Sequence, residues 1–322
     1  MDIAMIDAAR ARLGERVRRT PLLTSPFLDE IAGRPVFVKP ECLQHTGSFK
    51  FRGAWSAVSA LAPEVRARGV LAYSSGNHAQ GVALAAQLSG IPAVIVMPAD
   101  APRLKIDNTR AYGAEVVLYD RFGEDREVIG AALAAERGLT LIRPYDEPLV
   151  IAGQGTVGLE IAEDCAALGI SRAEVLVPCG GGGLTAGIAL ALAREAPWLR
   201  VRPCEPEGFD DTARSLAAGE RRANAPDARS ICDAIVTPRP GEITFPILQA
   251  HCGPGFALSD AEVLRAMRHA LLRLKLAPEP GGTVALAAAL FRPAAEPGLP
   301  VIAVVSGGNA DPDMLLRALQ AE

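Results

Sequence analysis

The chain has 322 residues, 49% of them hydrophobic and only 5% aromatic, enough apolar mass for one large domain or two interleaved lobes. A formal net charge of -4 argues against nucleic acid or an anionic membrane surface as a partner. No apolar run approaches the roughly 20 residues of a spanning helix, and Met1-Asp2-Ile3-Ala4 does not open an export signal, so a cytoplasmic protein is expected.

Residues 3 to 17 carry helical spacing (Ile3, Ile6, Ala9, Leu13, Val17) and end before Thr20-Pro21. Val36-Phe37-Val38-Lys39 predicts a strand, and Phe51 to Leu61 a helix that stops before Pro63. Strands are then expected at 69–74, 93–97, 115–118 and 140–142, alternating with helices at 77–89, 101–112 and 124–137. A second alternating set follows: helix 155–168, strand 174–178, helix 183–195 and strand 199–204. The remainder predicts helices at 259–275 and 281–291, a strand at 300–305 and a helix at 311–320. Such alternation implies an α/β fold with mainly parallel sheets flanked by helices. Residues 205–258, rich in Pro, Gly and charge, predict loops and short helices. Six scattered cysteines without a CxxC pair predict reduced thiols rather than a disulfide frame or a zinc site.

Four stretches carry chemistry. In His45-Thr46-Gly47-Ser48-Phe49-Lys50-Phe51-Arg52-Gly53-Ala54, Thr46 and Ser48 are placed to cap the helix that follows, with Lys50 in its first turn. The helix dipole and the flanking rings both lower a lysine pKa there, and a partly neutral lysine is a nucleophile for carbonyl compounds. From this stretch alone, a surface lysine extending its charge past apolar neighbours is the simpler reading. Pro178-Cys179-Gly180-Gly181-Gly182-Gly183-Leu184 follows a strand and opens a helix, the setting of a phosphate cradle. It is not a Walker loop, since no Gly-Lys-Ser/Thr follows. Ser74-Ser75-Gly76-Asn77-His78 offers either helix caps or donors for a carboxylate. Ser306 ends the last strand in Val304-Val305-Ser306-Gly307-Gly308-Asn309. Glu205-Pro206-Glu207-Gly208-Phe209-Asp210-Asp211, by spacing alone, is a solvated acidic loop with a cap, and Arg126 is a surface charge pairing along its helix.

These stretches, in this order, resemble those of the serine/threonine dehydratase family of fold type II pyridoxal-phosphate (PLP) enzymes, which also includes serine racemase and threo-3-hydroxyaspartate dehydratase. The resemblance covers nearly the whole chain. It implies a two-lobed molecule, with residues 1–68 and 145–322 forming a large PLP-binding domain and 69–144 a small mobile one. Lys50 would carry PLP; Gly180, Gly181, Gly182, Gly183 and Leu184 would hold its phosphate, Asn77 its ring oxygen and Ser306 its ring nitrogen, with Phe49 beside the ring. Ser74, Ser75, Asn77, His78 and Arg126 would meet the substrate, and Ser75 matches the second proton donor of serine racemase. Glu205, Asp211 and the carbonyl of Phe209 match a divalent-cation site for Mg2+, Ca2+ or Mn2+.

The implied activity is β-elimination from a hydroxy amino acid such as L-serine, L-threonine or 3-hydroxyaspartate, giving a 2-oxo acid and ammonia. A serine- or aspartate-type racemase, or an enzyme with both activities, is the alternative. The expected partners are a small amino-acid substrate and further copies of the chain, as a homodimer or higher homo-oligomer.

Overall fold

The computed structural model describes residues 2–322. Its elements run α1 (Ala4–Leu13), β1 (Leu23–Thr24), α2 (Pro26–Ala32), β2 (Val36–Lys39), α3 (Lys50–Ser59) and α4 (Pro63–Arg66). Next come β3 (Val70–Tyr73), α5 (Asn77–Ser89), β4 (Ala93–Pro98), α6 (Arg103–Ala111), β5 (Glu115–Tyr119), α7 (Arg126–Arg137) and β6 (Thr140–Leu141). Then follow α8 (Pro148–Ala167), β7 (Ala173–Pro178), α9 (Gly183–Glu195), β8 (Leu199–Pro206), α10 (Asp211–Ala218) and α11 (Thr244–His251). The last elements are β9 (Phe256–Leu258), α12 (Asp260–His269), α13 (Pro280–Phe291), β10 (Val301–Val304) and α14 (Pro312–Gln320).

Two sheets form. One has six strands in the order β1-β2-β10-β7-β8-β9, and the other has four in the order β5-β4-β3-β6. Every pairing is parallel except β1 with β2. Strands β3, β4, β7 and β10 are buried along their whole length, which is why they are uninterrupted apolar runs in the sequence. Helix α13 is buried from Pro280 through Leu290 and packs against β7, β8 and β10. Residues 70–141 supply all four strands of the smaller sheet.

Several boundaries differ from the expected ones. Helix α8 begins at Pro148, seven residues earlier than its glycines suggested. Pro148 occupies a first-turn position where its missing N–H costs nothing. Gly153 and Gly155 do not break the helix but let its neighbours approach: a Cβ at Gly153 would lie 2.4 Å from Arg52 O, and one at Gly155 2.9 Å from Gly187 O. The helix expected over 259–275 is α-helical to His269 and then widens into a π turn, Ala270–Leu274, ended by Lys275 at φ 61°. Strands β1 and β9 were too short to show a period, and β9 adds an edge to the sheet within the stretch expected to be loops and short helices.

Candidate active site

Lys50 opens α3 with Phe49 immediately before it. The expected hydroxyl cap does not form. Phe49 is already helical (φ -53°, ψ -19°), so Ser48 lies outside the capping position. Thr46 and Ser48 are buried, and neither hydroxyl oxygen has a partner among the described residues. The backbone holds the segment instead: Phe49 N–H donates to Ser306 O at 3.1 Å, and Ser48 bridges to Gly307.

On the side of α3 away from the cleft, Arg52 is wholly buried. It donates to both carboxylate oxygens of Glu41 at 2.8 Å and to Glu160 at 2.6 and 3.0 Å. Burial alone would lower its pKa, but the charges of Glu41 and Glu160 outweigh that and raise it. This pairing fixes the helix whose first residue is Lys50.

The Lys50 side chain points the other way. Its Nζ donates to Pro144 O at 2.7 Å and lies 5.2 Å over the Phe49 ring. Desolvation brings its pKa down to about 8, the direction expected from the sequence. His78 lies nearby, with Nε2 donating to Ile142 O at 2.9 Å. Burial, and then the Lys50 charge, push the His78 pKa down to about 3. The imidazole is therefore neutral, with its one proton held by a carbonyl and Nδ1 an acceptor with no partner among the described residues.

One cleft brings together Phe49, Lys50, Ser74, Ser75, Asn77, His78, Arg126, the glycines from Gly180 to Gly183, Leu184 and Ser306. The glycine loop joins β7 to α9. Thr244 Oγ1 and Gly241 N–H hold the Gly181 carbonyl, at 2.6 and 3.2 Å, and Gly182 sits at φ 92°. The first N–H groups of α9 lack acceptors within their own helix, the arrangement that receives an anion. Space there is tight: a Cβ at Gly181 would lie 2.2 Å from the Tyr145 ring.

At α5 neither serine caps the helix. Gly76 holds the capping position, and Ser74 Oγ accepts from Gly76 N–H at 3.1 Å. Asn77 is fixed from two sides, donating to Glu279 and accepting from Asn309 Nδ2 at 2.8 Å. Arg126 is not a solvated charge pairing along its helix. It begins α7, half-buried, with its guanidinium 5.2 Å from the Tyr73 ring centre, and it lines the cleft.

The acidic stretch lies outside this cleft and is not a solvated loop. Glu205 and Asp211 are buried, at 0% and 1% exposure. Glu205 takes the N–H groups of Thr212 and Ala213, both at 2.8 Å, and so caps α10, while Asp210 at the N-cap position makes no side-chain cap bond. Asp211 accepts from Asn224 through Oδ1, and its Oδ2 has no partner among the described residues. Burial and then Asp211 raise the Glu205 pKa well above its usual range, and burial pushes Asp211 up to about 6. Among the described residues no three His, Cys, Asp or Glu side chains gather to hold a metal, so carbonyl oxygens and water would have to complete any coordination shell.

Sequence reasoning missed Tyr145, Gln154, Lys105, Asp233 and Glu279. Tyr145, Gln154, Lys105 and Asp233 line the cleft, and Glu279 reaches it through Asn77. Gln154 was detectable as a lone amide in the small and apolar run from Val150 to Leu159. Lys105 carried no such signal, because its partners Glu279 and Asp233 are far along the chain, at 2.9 and 3.0 Å.

Residues 14–307 match the family model described as pyridoxal-phosphate dependent enzyme. The chain belongs to this family. An L-threo-3-hydroxyaspartate ammonia-lyase of Saccharomyces cerevisiae is 43% identical over 95% of this chain and 92% of its own length. A serine racemase of Arabidopsis thaliana is 40% identical over 96% of this chain and 93% of its own. The solved maize serine racemase superposes with a TM-score of 0.92 at 38% identity, covering 99% of this chain and 97% of that one. The fold is therefore the two-sheet α/β architecture of fold type II PLP enzymes. The residues present fit the family cofactor: a desolvated lysine and a glycine loop with no room for side chains share one cleft, and a neutral hydroxyl, Ser306, lines it too.

Proposed function

We propose that the chain is an ammonia-lyase that eliminates water from a hydroxy amino acid, L-serine, L-threonine or 3-hydroxyaspartate, giving a 2-oxo acid and ammonia. The observation that carries this reading is the desolvated Lys50 amine sharing a cleft with the Gly180–Gly183 anion cradle. PLP, when bound, supplies the electron withdrawal that lets the Cα proton leave. Phe49, Asn77, the glycine loop, Leu184 and Ser306 would hold it. A neutral hydroxyl at Ser306 would not hold the ring nitrogen protonated, so the group would supply weaker electron withdrawal there. Ser74, Ser75 and the start of α5 would receive the substrate carboxylate, with His78 as a neutral neighbour. Lys50 Nζ takes the Cα proton and returns it to the departing β-hydroxyl, which leaves as water; the released enamine tautomerises to an imine that water hydrolyses to oxo acid and ammonia.

Within this class we favour 3-hydroxyaspartate. Arg126 at the cleft gives a second carboxylate a two-point contact, and two relatives, at 43% and 45% identity, carry that substrate in their names. The test is a product screen of oxo acid, ammonia and D-amino acid from the three substrates. Lys50→Ala should lose essentially all turnover, and Arg126→Ala should lower relative kcat/KM for 3-hydroxyaspartate only. Turnover retained in Lys50→Ala would sink the reading.

Ser75 supports a second activity, racemisation, because its hydroxyl lines the same cleft as Lys50. A proton returned from the face opposite Lys50 needs such a donor. Ser75→Ala should then abolish D-amino acid formation while elimination persists. Wild-type enzyme that forms no D-product leaves Ser75 a carboxylate contact.

We further infer that Glu205, Asp211 and the Phe209 carbonyl bind Mg2+, Ca2+ or Mn2+. Two buried carboxylates close in sequence, one with an oxygen lacking a partner among the described residues, support this. Chelation should lower the melting temperature and added cation restore it; an unchanged melting temperature after thorough chelation refutes it.

A further inference from the structure

Gln154 is fully buried on α8, yet neither Oε1 nor Nε2 has a hydrogen-bond partner among the described residues. A buried primary amide with both ends unsatisfied is costly, and a leucine or methionine of similar size would pack there without that cost. Its neighbours on the helix are small or apolar, and the one other polar side chain between Val150 and Leu159, Thr156, satisfies itself on Gly153 O at 2.7 Å. The amide is lodged between two glycines that leave room for it. A Cβ at Gly183 would lie 2.7 Å from Oε1, and one at Gly53, a turn beyond Lys50, 3.0 Å from Nε2. Gly183 is the first residue of α9, so the unsatisfied amide faces the end of the glycine loop, and it lines the cleft.

We propose that Gln154 is a ligand of the anion held by the glycine loop, donating its amide N–H to an oxygen of the cofactor's phosphate ester. This rests on the reading of the loop as the phosphate site. A dianionic ester accepts many hydrogen bonds, and the first N–H groups of α9 are donors from one helix only. Gln154 reaches it from α8, and rotation about the last torsion of the side chain exchanges Oε1 and Nε2 towards Gly183. In the absence of cofactor the amide is therefore a liability to the fold, and with cofactor it becomes a contact.

That contrast is the test. Apoenzyme of the wild type, Gln154→Leu and Gln154→Met is titrated with PLP and, separately, with pyridoxal, which lacks the phosphate, and apo melting temperatures are recorded. Expected are unchanged or raised apo melting temperatures and PLP binding weaker by about tenfold or more, the scale of a hydrogen bond to a charged group. Pyridoxal affinity should equal that of the wild type. Equal losses for PLP and pyridoxal, unchanged PLP affinity, or lowered apo melting temperature in both variants would each overturn the assignment. Wild-type protein that binds pyridoxal as well as PLP would instead overturn the phosphate reading of the loop, and this inference with it.

Discussion

A free amine at Lys50 exists mainly above its pKa of about 8, and burial alone accounts for that lowering from the usual lysine value. The sign follows directly. Below pH 8 the folded chain holds an ammonium that cannot attack a carbonyl, and above it the amine is neutral. The rate at which apoenzyme captures PLP should rise about tenfold per pH unit between pH 6 and 7 and level off past pH 8. Stopped-flow absorbance across a pH series checks this, and a rate that keeps climbing to pH 10 would mean the ammonium is hydrated. His78, at about 3, adds no second limb in that range. The direction of the Lys50 shift and its desolvation were legible in the flanking aromatics, but what positions the residue was not. The sequence suggested hydroxyl capping, whereas the Thr46 and Ser48 hydroxyls are buried without partners among the described residues and the backbone bond to Ser306 does the positioning. That bond joins residues at opposite ends of the chain, and no local pattern encodes it.

Helices α3, α8 and α9 meet more closely than side chains usually allow, and the glycines of α8 make that possible. A Cβ at Gly153 would lie 2.4 Å from Arg52 O and 2.6 Å from Ser56 Cβ. Gly153→Ala therefore pushes α8 off α3, costing about 1–3 kcal/mol by overpacking and moving Lys50 relative to the loop. Urea unfolding should show the lower midpoint, and PLP affinity should fall with it. An unshifted midpoint would mean that α8 can slide without loss. The same glycines hid the first two turns of α8 from sequence reading, because a breaker and a close-approach residue look alike until the partner helix is known. Strands β3, β4, β7 and β10 were legible because burial on both faces demands continuous apolar runs. The acidic stretch misled for the opposite reason: Glu205 and Asp211 have the composition of a surface loop and the burial of a core.

Across the whole molecule, the two sheet units are joined through the cleft by Lys105 on α6, which pairs with Glu279 at 2.9 Å and Asp233 at 3.0 Å. Burial would strip its charge, but Glu279 and then Asp233 hold its pKa above the usual value. Lys105→Met should cost about 3–5 kcal/mol, because Glu279 is left buried and uncompensated. The pair Lys105→Met with Glu279→Gln should recover part of that loss. Denaturation midpoints of the single and double variants read both effects, and additive losses would deny the coupling. The order of the large sheet also bears on how the protein is made. Strand β10 lies between β2 and β7, so β2 has no neighbour on that side until every strand from β3 to β9 has been made. The four-stranded sheet is contiguous in the chain and can close long before. Ser306 and its grip on Phe49 arrive with β10. During translation, then, a chain that has reached α9 already carries Lys50 and the glycine loop but not the Ser306 carbonyl that holds Phe49 before it.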